Sequence, residues 1–142
     1  MSFITLKKKI KSELLTITQI QQVSDYPTQD FQGYPAVCVR SDRQTAQYES
    51  TSENYEEYTF TLYILQNMDG IHEAVKSREI IEELCDTVRD HFDSNEFLPG
   101  ISMPSDRVLL GIRPSSSEIF EEESGKFVVA EINLICRVSK SI

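Results

Sequence analysis

Residues 58–92 constrain the fold more than any other part of this sequence. Tyr58, Phe60, Leu62 and Ile64 alternate with more polar residues, which predicts a β-strand with one buried face. After a turn at residues 67–70, apolar positions recur at helical spacing, at Ile71, Val75, Ile81, Leu84, Cys85, Val88 and Phe92. A strand that leads directly into a one-sided helix predicts a helix layer packed on a sheet.

The other predicted elements lie on both sides of this pair. Residues 3–17 form a one-faced helix, a short strand is suggested at Ile20 and Val23, and a clear strand covers residues 36–40. Residues 107–112 form another strand, Pro114 and three serines form a break, and residues 118–123 form a possible further strand. The longest strand is predicted at residues 127–138.

Together these elements predict an α+β fold with a mostly antiparallel sheet of about four to five strands and two helices packed on one face. The length of 142 residues predicts a single domain, residues 1–142.

The charge is negative overall and unevenly distributed. The chain carries a net charge of -9, while residues 1–17 are positive because of Lys7, Lys8, Lys9 and Lys11. An acidic surface repels phosphate, so high-affinity wrapping of nucleic acid is not expected. The four lysines spread around the first helix, either as a solvated face or as contacts for an anionic partner. No apolar run approaches the roughly 18 residues of a membrane span, so we expect a cytosolic protein.

No constellation predicts catalysis. Cys38, Cys85 and Cys136 lack a C-x-x-C pair and lie in apolar positions, which favours buried free thiols over disulfides or zinc. His72 and His91 have no partner at metal-ligand spacing. We therefore predict no enzymatic activity, no catalytic or metal-binding residue and no cofactor.

One alternative is enzymatic. Carboxylates recur at helical spacing at Glu79, Glu82, Glu83, Asp86 and Asp90, as in helical magnesium-dependent nucleotide hydrolases. Such sites draw ligands from at least two helices, and the first helix offers only Glu13. The solvated outer face of an amphipathic helix explains the same carboxylates.

A protein-binding surface is better supported. Residues 41–55 are polar and lack glycine and proline, which fits either a functional loop or the tip of a long hairpin. Exposed tyrosines are enriched at protein interfaces, although packing on the sheet also explains those found here. The interface candidates are Arg43, Gln47, Tyr48, Tyr55, Thr59, Thr61 and Tyr63.

The order of elements resembles that of the tail-terminator (tail-completion) proteins of long-tailed bacteriophages, with the related neck proteins of head-tail joining close behind. The resemblance lies in the opening helix at residues 3–17, the strand entry at residues 33–39, the strand-helix pair at residues 58–92 and the closing strand at residues 125–134. It covers most of the chain as a pattern of elements.

The resemblance implies a virion protein of the tail or neck, assembled in the host cytoplasm. It implies a hexameric ring that caps the tail tube, stops its polymerisation and docks to the head-side connector. DNA would pass through such a ring without specific binding, and an acidic lumen would favour this because it repels phosphate. The candidates for an acidic lumen are Glu121, Glu122 and Glu123. A head-completion or neck protein on the portal side is the alternative within the same class.

Overall fold

The computed structural model describes residues 2–27, 31–48, 53–68, 71–122 and 125–141. In chain order, the elements are α1 (Ser2–Leu15), β1 (Gln22–Asp25), β2 (Ala36–Tyr48), β3 (Glu53–Asn67), α2 (Ile71–Ser94), β4 (Arg107–Glu121) and β5 (Phe127–Ser141). The strands form one five-stranded sheet in the order β1-β2-β3-β5-β4. Only β1 and β2 are parallel, and the other neighbours are antiparallel. The predicted α+β class is confirmed.

Both helices cover the same face of the sheet. The rings of Phe3 in α1 and Phe60 in β3 meet edge to face, with centroids 5.7 Å apart. α2 contacts β3, β4 and β5. The alternating residues of β3 and the apolar stripes of both helices join one buried cluster, which includes Leu6, Ile10, Leu14, Phe60, Leu62, Ile64, Ile81, Leu84, Val88 and Phe92. Burial of such side chains stabilises the fold by about 1.5–3 kcal/mol each, which makes this layer the main source of stability.

The predicted stripe of α2 is wrong at Val75, and the side chain of Ile71 lies outside the described residues. Val75 is 69% exposed, whereas Ser77 is 4% exposed and donates its hydroxyl to the Asn67 carbonyl at 3.0 Å. At about 100° per residue, position 75 lies about 120° away from position 81, so it leaves the buried face. Among the described side chains of α2, that of Ser77 is the first buried one.

β4 is continuous where the sequence predicts two strands separated by a break. Pro114 lies within the strand, and the register against β5 shifts between Pro114 and Ser117. β4 has β5 on one side and is the outermost strand in the sheet order. An edge strand tolerates proline, because the missing N–H removes no ladder hydrogen bond there, and a bulge absorbs the irregular register.

Among the described residues, β2 is paired on both sides at its start and on one side only further along. β1 pairs only with its first four residues, and the last pair joins Asp25 and Val39. The antiparallel ladder with β3 continues from Ala36 to Tyr48. The second half of β2, residues 41–48, therefore has a neighbouring strand on one side only among the described residues. We call residues 41–48 the free β2 edge.

A carboxylate is buried at the end of the core. Glu56 is 6% exposed and accepts hydrogen bonds from Arg107 Nε at 2.7 Å, from the Tyr58 hydroxyl at 3.2 Å and from Gln44 Nε2. Burial raises the pKa of Glu56, but the hydrogen bond and charge of Arg107 and the Tyr58 hydroxyl outweigh it and lower the pKa overall. Glu56 is thus a core residue whose ionised state is stabilised by Arg107.

None of the helices in the described ranges is both long enough and apolar enough to cross a membrane.

Candidate interaction surface

The sheet face opposite the helices carries most of the predicted interface residues. Thr59, Thr61 and Tyr63 alternate along β3 with core residues, so they point away from the helices. Tyr55 follows the same alternation, and Arg43 stands directly across from Thr59 on β2. We call this side of the sheet the open face.

The described parts of the polar stretch at residues 41–55 belong to two paired strands rather than to a loop. β2 runs to Tyr48 and β3 starts at Glu53, and the ladder pairs Gln47 with Tyr55. Of the predicted lumen residues, Glu121 and Glu122 are exposed at the end of β4. Glu123 lies outside the described residues.

An arginine lies against two aromatic rings, which also contact each other, at one end of the open face. The Arg40 guanidinium lies 5.5 Å from the centroid of the Tyr26 ring and 5.2 Å from that of Tyr63. Its Nε donates a hydrogen bond to Asp42, which is the main reason why the pKa of Arg40 is raised. Cation–π and ion-pair contacts together fix this side chain against the sheet.

A chain of hydrogen bonds continues from Asp42 across the sheet. The Thr61 hydroxyl, on a residue only 1% exposed, donates to Asp42 and lies 3.0 Å from Asn133 Oδ1. Asn133 Nδ2 in turn donates to Ser116 Oγ at 2.8 Å. These contacts link β2, β3, β5 and β4, so the centre of the open face is a fixed polar surface.

Aromatic residues surround an open cavity at the same end of the face. The cavity has a volume of about 610 Å³ and is lined by Tyr26, Phe31, Cys38, Tyr63, Leu65, Phe120, Glu122, Phe127 and Val129. Of these, the sequence identified only Tyr63 and Glu122 as site candidates. Tyr26 and Phe31 lie in the irregular segment between β1 and β2. The turn at Tyr26-Pro27 is the sequence signal that points to Tyr26, whereas no sequence pattern marks Phe31.

The open face carries both acidic and basic side chains. Glu118 and Glu131 are direct cross-strand partners, and neither forms an ion pair with any described residue. Like charges placed directly opposite each other destabilise a sheet. Further along the strands lie exposed arginines: Arg113 binds Glu96 at 2.9 Å, and Arg137 lies 4.9 Å from the Tyr55 ring centroid. Arg43 has no ion-pair partner in the described ranges.

The other candidate groups occupy structural positions. Glu82 on α2 forms an i,i+4 ion pair with Arg78 at 3.4 Å. Within the described residues, no three His, Cys, Asp or Glu side chains are grouped so that they could hold a metal ion. His91 Nε2 lies 3.7 Å from Glu13 on α1. Lys7 and Lys11 lie 3.9 and 3.2 Å from Asp25, so two lysines of the first helix interact within the chain.

The cysteine thiols are buried. Cys38, Cys85 and Cys136 form no disulfide and are buried, as the sequence predicts. Burial raises the pKa of Cys136 to about 12, and burial is also the main reason why the pKa of Cys85 is raised. A thiol in such surroundings is a poor nucleophile.

Comparison with known proteins gives a likeness of fold. No family model matches the chain, and no curated protein matches it. Among solved structures, the fold is similar to a chain in a structure described as the virion of a native gene transfer agent particle. The TM-score is 0.55 at 11% sequence identity, and the match covers 92% of this chain and 84% of the other.

Proposed function

We propose that this protein is a structural subunit of a phage-type virion, and specifically a tail terminator. It would form a hexameric ring that caps the tail tube, stops its polymerisation and docks to the head-side connector. The observation that carries the proposal is the fold likeness to a chain of a gene transfer agent virion, because it extends over nearly the whole of both chains. A fold by itself does not imply a function, so the surface has to support the proposal independently.

The open face provides that support. It is a sheet face not covered by either helix, with an aromatic cavity at one end and fixed polar groups at its centre. Aromatic and arginine side chains are the residue types enriched at protein interfaces. We propose Arg43, Gln47, Tyr48, Tyr55, Thr59, Thr61 and Tyr63 as subunit or docking contacts.

The charge fits a passage for DNA. The net charge of -9 would repel phosphate from the wall of a ring, so DNA could slide through without being held. Glu121 and Glu122 are exposed, and together with Glu123 they are our candidates for the lumen. The partners in this proposal are other copies of the chain, the tail tube protein and the head-tail connector.

Oligomeric state is the decisive measurement. Native mass spectrometry and size exclusion with light scattering should give a six-fold species, and that species should bind the purified tube protein of the same virion. A strictly monomeric protein at high concentration that does not bind the tube would refute the proposal. A ring that binds only the portal-side connector would instead assign the chain to the neck.

A further inference from the structure

We infer that the sheet continues from one subunit to the next in the assembled ring. The free β2 edge of one copy would pair in antiparallel fashion with residues 115–121 of β4 in a neighbouring copy, with Arg43 close to Glu118. This inference rests on the ring proposed above and names the contact that closes it.

The free β2 edge lacks a neighbour on its outer side. The hydrogen bond from the Tyr26 N–H to the Val39 carbonyl, at 3.0 Å, is the last described backbone contact on that side of β2. Residues 41–46 are all exposed. A strand edge with unpaired N–H and C=O groups is a ready template for another strand.

β4 offers a matching edge at the other end of the sheet. The Glu96 carbonyl accepts the Ile112 N–H at 2.7 Å, and Pro114 has no N–H to offer, so this part of the edge is already blocked. Beyond Pro114, residues 115–118 and Glu121 are exposed, and no described backbone group outside the sheet contacts them. The open stretch of β4 is thus about as long as the free β2 edge.

Strand direction fits this pairing. β2 is antiparallel to β3, β3 to β5, and β5 to β4, so β2 and β4 run in opposite directions. When a second copy is placed beside the first and shifted by about four residues along the strands, so that Arg43 is level with Glu118, β4 of one lies antiparallel to β2 of the other. The contact joins different surfaces of the two copies, and such heterologous contacts generate rings when the rotation closes.

Charge favours the same contact. Arg43 and Glu118 both lie on the open face, and neither has an ion-pair partner among the described residues. Glu118 also stands opposite Glu131, and an arginine from a neighbour would relieve this repulsion. A two-fold pairing of β2 with β2 would instead leave the repulsion between Glu118 and Glu131 unrelieved.

Charge reversal tests the contact. Arg43→Glu and Glu118→Arg should each raise the protein concentration needed for half-assembly by at least about tenfold at low salt. The double variant carries the reversed pair and should assemble like the wild type. An equimolar mixture of the two single variants should also assemble, because each faces a complementary charge in alternating order. Lys8→Glu on α1 and Glu79→Arg on α2 are matched controls at exposed positions and should leave assembly unchanged.

The outcomes separate this inference from the proposed function. If the wild type forms a ring and both single variants assemble equally well, the edge contact is wrong while the ring stands. An effect of Arg43→Glu that Glu118→Arg does not rescue would also overturn the contact. A wild-type protein that stays monomeric would refute the ring itself before any variant is compared.

Discussion

Replacing Arg107 by methionine is expected to destabilise the protein strongly, because it leaves a buried carboxylate without its main partner. Removal of one partner of a buried ion pair typically costs about 3–5 kcal/mol. The Glu56 side chain is 8% exposed and that of Arg107 is 20% exposed, so water can reach part of the pair. We therefore expect the free energy of unfolding to fall by about 3 kcal/mol at pH 7, near the lower end of this range.

Urea denaturation at fixed protein concentration measures this loss. If the free energy of unfolding falls by about 2 kcal/mol per molar urea, Arg107→Met should lower the urea concentration at the unfolding midpoint by about 1.5 M. The double variant Glu56→Gln/Arg107→Met should be more stable than Arg107→Met alone, since a neutral amide is less costly to bury than an unpaired charge. The reasoning fails if Arg107→Met costs less than about 1 kcal/mol, or if the double variant is the less stable of the two.

The pH dependence gives an independent check. In the wild type the pKa of Glu56 is lowered on folding, so its contribution is present above the unfolded pKa of about 4.3 and is lost as the pH falls through the folded pKa. Without Arg107, burial would raise the folded pKa above the unfolded one, and the ionised carboxylate would destabilise the variant at pH 7. The difference in stability between wild type and Arg107→Met should therefore shrink as the pH falls from 7 towards 4. A constant difference would show that Arg107 acts through packing alone.

Two further outcomes test the core. Phe60→Ala should lower the free energy of unfolding by about 3–5 kcal/mol, because Phe60 is fully buried against Phe3. Urea denaturation measures this change, and a decrease of less than about 1 kcal/mol would contradict the packing. Cys136 should react with a thiol reagent only as fast as the protein opens, since it is fully buried and its pKa is raised to about 12; mass-spectrometric labelling at the rate of a free thiol in native protein would refute its burial.

The sequence predicted the layers of this fold because their signal is local. The alternation in β3 and the stripe of α2 from Ile81 onwards match the buried positions. Val75 was assigned to the same stripe because it is apolar, but the exact angle around the helix decides its burial. The break predicted at Pro114 was wrong because proline tolerance depends on whether a strand lies at the edge of its sheet, and strand order is a property of the whole fold.

The interaction surface was predictable only in part. Alternation placed Thr59, Thr61 and Tyr63 on one side of a strand, and the structure shows that this side is not covered by helices. The aromatic cavity was missed because Tyr26 and Phe31 reach it from irregular segments whose path no periodicity encodes. The opposed pair of Glu118 and Glu131 requires the register between β4 and β5, which emerges only from tertiary packing.

In the proposed assembly, the half-covered strand β2 poses a problem for a subunit that has been made but has not yet been assembled. An unprotected strand edge invites uncontrolled growth into cross-β aggregates, particularly when its side chains are apolar and uncharged. Residues 41–48 read SDRQTAQY, so they contain no aliphatic side chain larger than alanine and they carry both an acid and a base. Such an edge is a poor nucleus for amyloid-like stacking, and charged or polar edge residues are a common natural protection. The same polar composition that hides this strand from sequence patterns thus makes an open edge less prone to aggregation.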